Sequence, residues 1–250
     1  MARGVRRFAL AGLVTLLAMT GTAQAASVSN GGFETGDFTG WTVEDQPGSS
    51  GSWFVYSGTS SPASGFGVPA PPQGTFAAIS DQNSPGSHLL YQDVALEAGF
   101  RHELRFVLYY ANQVGSFAAP DTLDFNASPN QQYRVDILDP AAPVTSVAAS
   151  DVLATVFRTE VGDPATLAPM TIIFDLTPYA GRTVRLRFAE VDNQGFFQAG
   201  VDDVRIASTA RTPTSKQACK KGGWRNLAND QGQPFRNQGQ CVSFVVAHRR

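Results

Sequence analysis

Lysine is missing from residues 26–210, a span with 8 Arg against 20 Asp or Glu. No nucleic-acid partner is expected of the protein. Cysteine is confined to Cys219 and Cys241, and histidine to His88, His102 and His248. The histidines lack paired metal-ligand spacing, and neither cysteine stands beside a histidine that could activate it. Two thiols with only His248 nearby do not make the four-ligand set of structural zinc. There is no Gly-x-Ser-x-Gly elbow and no glycine-rich phosphate loop ahead of a helix. These absences remove the common hydrolase and nucleotide-binding chemistries, and the chain reads as a non-enzyme. No segment sustains helical periodicity over three turns. Long hydrophobic runs are also missing. Phe8–Met19 falls short of the roughly 20 residues that cross a bilayer and Val242–Ala247 is shorter still, so no transmembrane segment is expected.

Arg3, Arg6 and Arg7, the apolar run and Ala23-Gln24-Ala25 together form a leader over residues 1–25, so the mature chain is expected to be secreted, extracellular or periplasmic. Arg6-Arg7 leaves both twin-arginine and general export open. Residues 211–250 reverse the charge balance, with 8 Lys or Arg against Asp230 alone. Such asymmetry divides the chain into parts with different roles: a body over 26–206, a Ser/Thr/Pro-bearing linker over 207–217, and a basic tail over 218–250. The tail suits an anionic surface or its own acidic neighbour. In an exported chain, Cys219 and Cys241 are expected to form one bridge.

The body reads as all-β. Leu104–Tyr110 is a strongly apolar strand, while Tyr133–Ile137 and Thr183–Phe188 alternate. The alternation sends Tyr133, Val135, Ile137, Val184, Leu186 and Phe188 inward, with Arg134, Asp136, Arg185 and Arg187 outward. Further strands are expected at Ser52–Tyr56, Thr75–Ser80, His88–Val94, Val152–Thr159, Thr171–Leu176 and Val201–Ile206. Gly and Pro punctuate the gaps at Ser60–Gln73 and Ala118–Asn130. Eight to ten short strands with turns between them predict a two-sheet antiparallel β-sandwich, a jelly roll, plus a small disulfide-closed C-terminal tail.

The opening Asn30-Gly31-Gly32-Phe33-Glu34 with Gly40-Trp41, and the closing Val201-Asp202-Asp203-Val204, resemble the two ends of galactose-binding-like jelly rolls, a group that includes many bacterial carbohydrate-binding modules. The resemblance implies neighbouring first and last strands with a structural calcium ion between them. Its implied ligands are Glu34, Asp202 or Asp203, and the Gly32 carbonyl. Calcium favours such oxygen donors, and a cation relieves the repulsion between carboxylates brought together. The tail, with Cys219-Lys220-Lys221-Gly222-Gly223-Trp224 and Cys241, resembles a short Cys-bounded module at the C-termini of secreted bacterial proteins. Trp224 is either its core residue or a surface contact.

Sugar recognition needs a flat apolar face beside polar groups. Trp41 is expected in the core. The candidate ligand contacts are Trp53, Tyr56, Tyr109, Asn193, Phe196 and Phe197. Tyr109 faces opposite to Tyr110, and adjacent Phe196 and Phe197 cannot both point inward. Glu190-Val191-Asp192 resembles the start of the Glu-x-Asp-x-x-Glu motif of jelly-roll β-glucanases, but Gly195 replaces the second glutamate that retaining hydrolysis needs. Glu190 is expected to pair with a strand arginine. The leading reading is a secreted non-catalytic protein that binds a polysaccharide or cell-surface glycan through a calcium-stabilised jelly roll. The alternative is a structural or adhesive extracellular protein without sugar affinity.

Overall fold

The computed structural model describes residues 26–248; the leader expected over 1–25 lies outside the described residues. The strands are β1 (Thr42–Asp45), β2 (Ser52–Tyr56), β3 (Ala77–Asp81), β4 (Gly86–Ala95), β5 (Phe100–Asn112), β6 (Gln131–Leu138), β7 (Val152–Arg158), β8 (Thr166–Asp175), β9 (Thr183–Asp192) and β10 (Phe197–Ala210). They form two five-stranded antiparallel sheets in the orders β1-β4-β9-β6-β7 and β2-β3-β10-β5-β8. Apolar alternation places Leu90, Val94, Leu104, Phe106, Leu108, Tyr133, Val135, Ile137, Leu186 and Phe188 between the sheets, so hydrophobic burial drives the closure. Pro169 lies in β8, an edge strand, where its missing N–H interrupts the ladder with β5 least harmfully.

The first and last segments meet at a bulge in β10. Asp203 there has a left-handed φ of 51°, and the Val204 amide donates to the Gly31 carbonyl at 2.9 Å. A Cβ on Gly31 would lie 1.8 Å from the Val204 carbonyl oxygen, so only glycine permits this approach.

Three expectations need correction. Arg134, Asp136 and Arg187 do point away from the inter-sheet core, yet all three are buried. Segments 118–130 and 139–151 cover that outer face. Leu123, Phe125, Val144 and Val147 build a second apolar cluster there on Leu89, Ala189 and Val191. Next, β10 continues through Ala210, so the body takes in the first four residues of the expected linker. Finally, the tail contains a helix, α1 (Gln238–Ala247), whose N-terminus is capped by the Asn237 side chain accepting from the Gln240 amide at 2.9 Å.

The tail is closed by Cys219–Cys241 and has its own small core of both cysteines, Phe235 and Val245, with Trp224 packed against it. It docks on the body. The Arg211 amide donates to the Gly99 carbonyl at 2.7 Å, and the Ala228 amide to the Arg211 carbonyl at 3.1 Å. The basic tail thus lies against the end of the sandwich formed by the start of β5.

Candidate functional site

Four of the six expected ligand contacts lie inside the protein. Trp53 is in the inter-sheet core, 2% exposed, beside Tyr133. Phe197 is fully buried against Tyr110 and Phe117. Tyr109 and Tyr56 are on the outer face of the second sheet, but the 57–72 segment covers them with Val68. Their hydroxyls share a 2.6 Å hydrogen bond, and Tyr56 also donates to the Pro69 carbonyl at 2.6 Å. Burial pushes the Tyr56 hydroxyl up to about 12 and the Tyr109 hydroxyl well above its ordinary value. Neither ring offers a face to solvent.

Phe196 is the contact that reaches the surface, 37% exposed. It borders a 260 Å³ cleft walled by Asn83, Ser84, Pro85, Asp192, Asn193 and Gln194. Its ring lies 5.2 Å from that of Phe66, and the exposed Val114 reaches the adjacent Gly195. An apolar strip therefore runs beside polar walls. Asn193 fastens the cleft rather than lining it with free groups. Its side-chain oxygen accepts from the Asn130 amide at 2.8 Å, and its nitrogen donates to the Phe125 and Ala127 carbonyls. Asn83, Ser84 and Gln194, all exposed, supply the outward polar groups.

Asp81, at the end of β3, positions Phe66. Its buried carboxylate accepts from the amides of Ala63 and Ser64 at 2.6 and 2.8 Å, from the Ser64 hydroxyl and from Gln198. Burial pushes this carboxyl up, but those donors overcome it and hold it below its ordinary value.

The two chain ends form a separate corner. The Glu34 carboxylate accepts from the Thr75 and Phe76 amides, and Asp202 accepts from Gln73 at 2.7 Å and Asp203 at 2.6 Å. A Cβ on Gly32 would approach the Gln73 side-chain oxygen at 2.9 Å and Asp202 Oδ1 at 3.9 Å. Burial, with smaller contributions from Asp203 and Glu34, raises Asp202 to about 6. Asp203 is instead engaged by Arg205 at 2.9 Å. The corner gathers oxygen donors alone, with lone pairs left beyond those the amides use, and that chemistry fits a calcium ion. Sequence reasoning missed Gln73, whose side-chain oxygen joins this corner, because it lies in a segment without pattern.

A larger hollow of 610 Å³ lies over β5, β8 and β10, lined by Arg101, Glu103, Ile173, Asp175 and Arg211 among others. No aromatic carbocycle lines it, so the Phe196 cleft better suits a pyranose face.

Among the described residues, Glu190 has no arginine partner. It is fully buried between the sheets, and neither carboxylate oxygen has a hydrogen-bond partner. Burial and the neighbouring Asp192 push it well above its ordinary value, while the Ser80 hydroxyl opposes the rise.

No protein-family model matches the chain, and no curated protein matches it. Solved structures do. The chain resembles a carbohydrate-binding module, TmCBM61 in complex with β-1,4-galactotriose, at 16% identity over 72% of this chain and 96% of that one, with a TM-score of 0.44. It resembles the K3 cleaved adhesin domain of Lys-gingipain from Porphyromonas gingivalis at 17% identity over 73% and 98%, with a TM-score of 0.47. It also resembles a CBM4 structure at 16% identity over 53% and 84%, with a TM-score of 0.32. These likenesses concern the arrangement of strands and nothing finer.

Proposed function

We propose that this is a secreted, non-catalytic protein that binds a polysaccharide or cell-surface glycan at the Phe196 cleft. The observation that carries the reading is an exposed aromatic at the lip of a cleft whose other walls are hydroxyl, amide and carboxylate groups. Phe196 and Phe66 would cover the C–H face of a sugar, and Asn83, Ser84 and Gln194 would meet its hydroxyls. Calcium at Glu34, Asp202, the Gly32 carbonyl and Gln73 would staple the chain ends without taking part in recognition. The basic tail would hold the protein near an anionic surface, through charge that salt screens.

The test is retention of residues 26–250 on a panel of insoluble polysaccharides and cell walls with calcium present. Selective retention competed by the soluble oligomer is expected, with Phe196→Ala weakening it by about tenfold, the scale of a central aromatic contact. Retention on nothing, or retention unchanged in Phe196→Ala, would exclude this cleft; the first result would turn the reading to protein or cell contact.

The calcium corner has its own readout. Calcium should raise the melting temperature of the wild type and leave that of Glu34→Gln unchanged. A wild-type midpoint indifferent to calcium and chelator would remove the ion from the reading.

A further inference from the structure

At the cleft end of the sandwich, the space between the sheets holds polar groups whose lone pairs face one another. His88 on β4 and Glu190 on β9 are cross-strand partners, and Asp192 follows Glu190 by two residues on the same face. All three are buried, and one ligand atom from each lies within 4.8 Å of the others. The Asp45 carboxylate accepts from His88 Nδ1 at 2.7 Å, so Nδ1 carries a proton, and in the neutral imidazole Nε2 then presents a lone pair. Among the described residues, that Nε2 and both Glu190 oxygens are buried without a hydrogen-bond partner. Unpartnered buried polar atoms are costly, and charged ones more so. One proton between His88 and Glu190 would satisfy a single pair, whereas a divalent cation engages His88 and Glu190 together with Asp192, whose Oδ1 otherwise accepts from the Gly86 amide at 3.0 Å.

We propose that His88 Nε2, Glu190 and Asp192 bind a divalent first-row metal ion of the zinc type, with water completing the coordination. An imidazole in the set selects this class over calcium or magnesium, which prefer oxygen throughout. Asp45 on the far nitrogen of His88 supplies the outer carboxylate that commonly orients a metal-binding imidazole. Gly86 keeps the nitrogen clear, since a Cβ there would lie 2.4 Å from Nε2. Asp192 belongs both to this cluster and to the wall of the 260 Å³ cleft, which gives an ion a way in. The ion would brace β4 against β9 beneath the cleft floor. This inference does not depend on what the cleft binds, and its donors are separate from the Glu34–Asp202 corner.

The experiment titrates Co²⁺ into the chelator-treated mature chain, residues 26–250, and reads the visible absorption of low-coordinate cobalt. One equivalent should bind and be displaced by Zn²⁺, and Zn²⁺ should raise the unfolding midpoint. His88→Gln and Glu190→Gln should each abolish the band, Asp45→Asn should weaken binding by about tenfold or more, and Glu34→Gln should keep it. Circular dichroism checks that each variant is folded, and Glu190→Gln, which removes a buried charge and keeps the side chain's shape, serves if His88→Gln is not. Absence of band and midpoint shift in the wild type would overturn the proposal, leaving a proton to close the cluster. Full binding retained in folded His88→Gln or Glu190→Gln would overturn it equally, by placing the metal elsewhere.

Discussion

Asp136→Ala should destabilise the protein by about 3–5 kcal/mol, the cost typical of stranding a buried charge. The Asp136 carboxylate accepts from Arg134 at 2.7 and 2.8 Å, from Arg187 at 2.5 Å and from Thr155 at 3.0 Å. Arg187 is fully buried, and its Nη1 donates to the Val144 and Ser146 carbonyls of the covering segment. Removing the carboxylate leaves two guanidinium groups beneath that segment without their anion. Asp93→Ala is the matching control. Asp93 is 41% exposed and pairs with the more sheltered Arg185, so its loss should cost under about 1 kcal/mol. Urea unfolding of both variants decides the matter, and equal costs would show that solvent reaches Arg187. Burial pushes the Asp136 carboxyl up, but Arg134 and Arg187 prevail and hold it below 3.8. A depressed carboxyl contributes stability above its unfolded value and loses it as pH falls through the folded one. The wild type should therefore lose stability more steeply than Asp136→Asn below about pH 4.

The same network shows where sequence reading stops. Alternation in β6 and β9 correctly assigns Tyr133, Val135, Leu186 and Phe188 to the inter-sheet face and the arginines to the other. Alternation reports direction, while burial depends on what lies above the sheet. The covering segments, rich in Pro and Ala, show no period that would reveal their docking. Tyr56 and Tyr109 were obscured in the same way by the 57–72 segment. The strand ends beyond the apolar runs were hidden for another reason. In β9 the inward face continues past Phe188 through Glu190 and Asp192, and at this end the interior also holds Ser80, Gln82, His88 and Gln131. A pattern read from apolar residues ends where the core turns polar. His88 and Glu190 are about a hundred positions apart, so only strand pairing reveals them as neighbours. The meeting of Gly32, Glu34 and Asp202 was legible because glycine and carboxylates at the two chain ends carry a local signal, whereas Gln73 carries none.

Replacing Cys219 and Cys241 with serine should open the tail while leaving the sandwich folded. The bridge joins residues 22 apart, and closing such a loop stabilises by about 3 kcal/mol on chain-entropy grounds. Against that contribution, the tail offers a core of Phe235 and Val245 with partly exposed Trp224, Leu227, Val242 and Phe244, too few apolar groups to hold a segment of this length alone. Both cysteines are fully buried, so serine also leaves hydroxyls in an apolar pocket. The ten-residue α1 is below the length at which an isolated helix persists in water. Hydrogen exchange of the α1 amides should accelerate more than a hundredfold, and trypsin should cut at Lys220, Lys221, Arg225 and Arg236. The β4 and β9 amides should keep their protection, because the tail meets the body near Gly99 and Arg211 rather than at the sheet centres. Unchanged protection of α1 in the double variant would show that docking alone holds the tail. Loss of protection throughout β4 and β9 would make tail and sandwich a single cooperative unit.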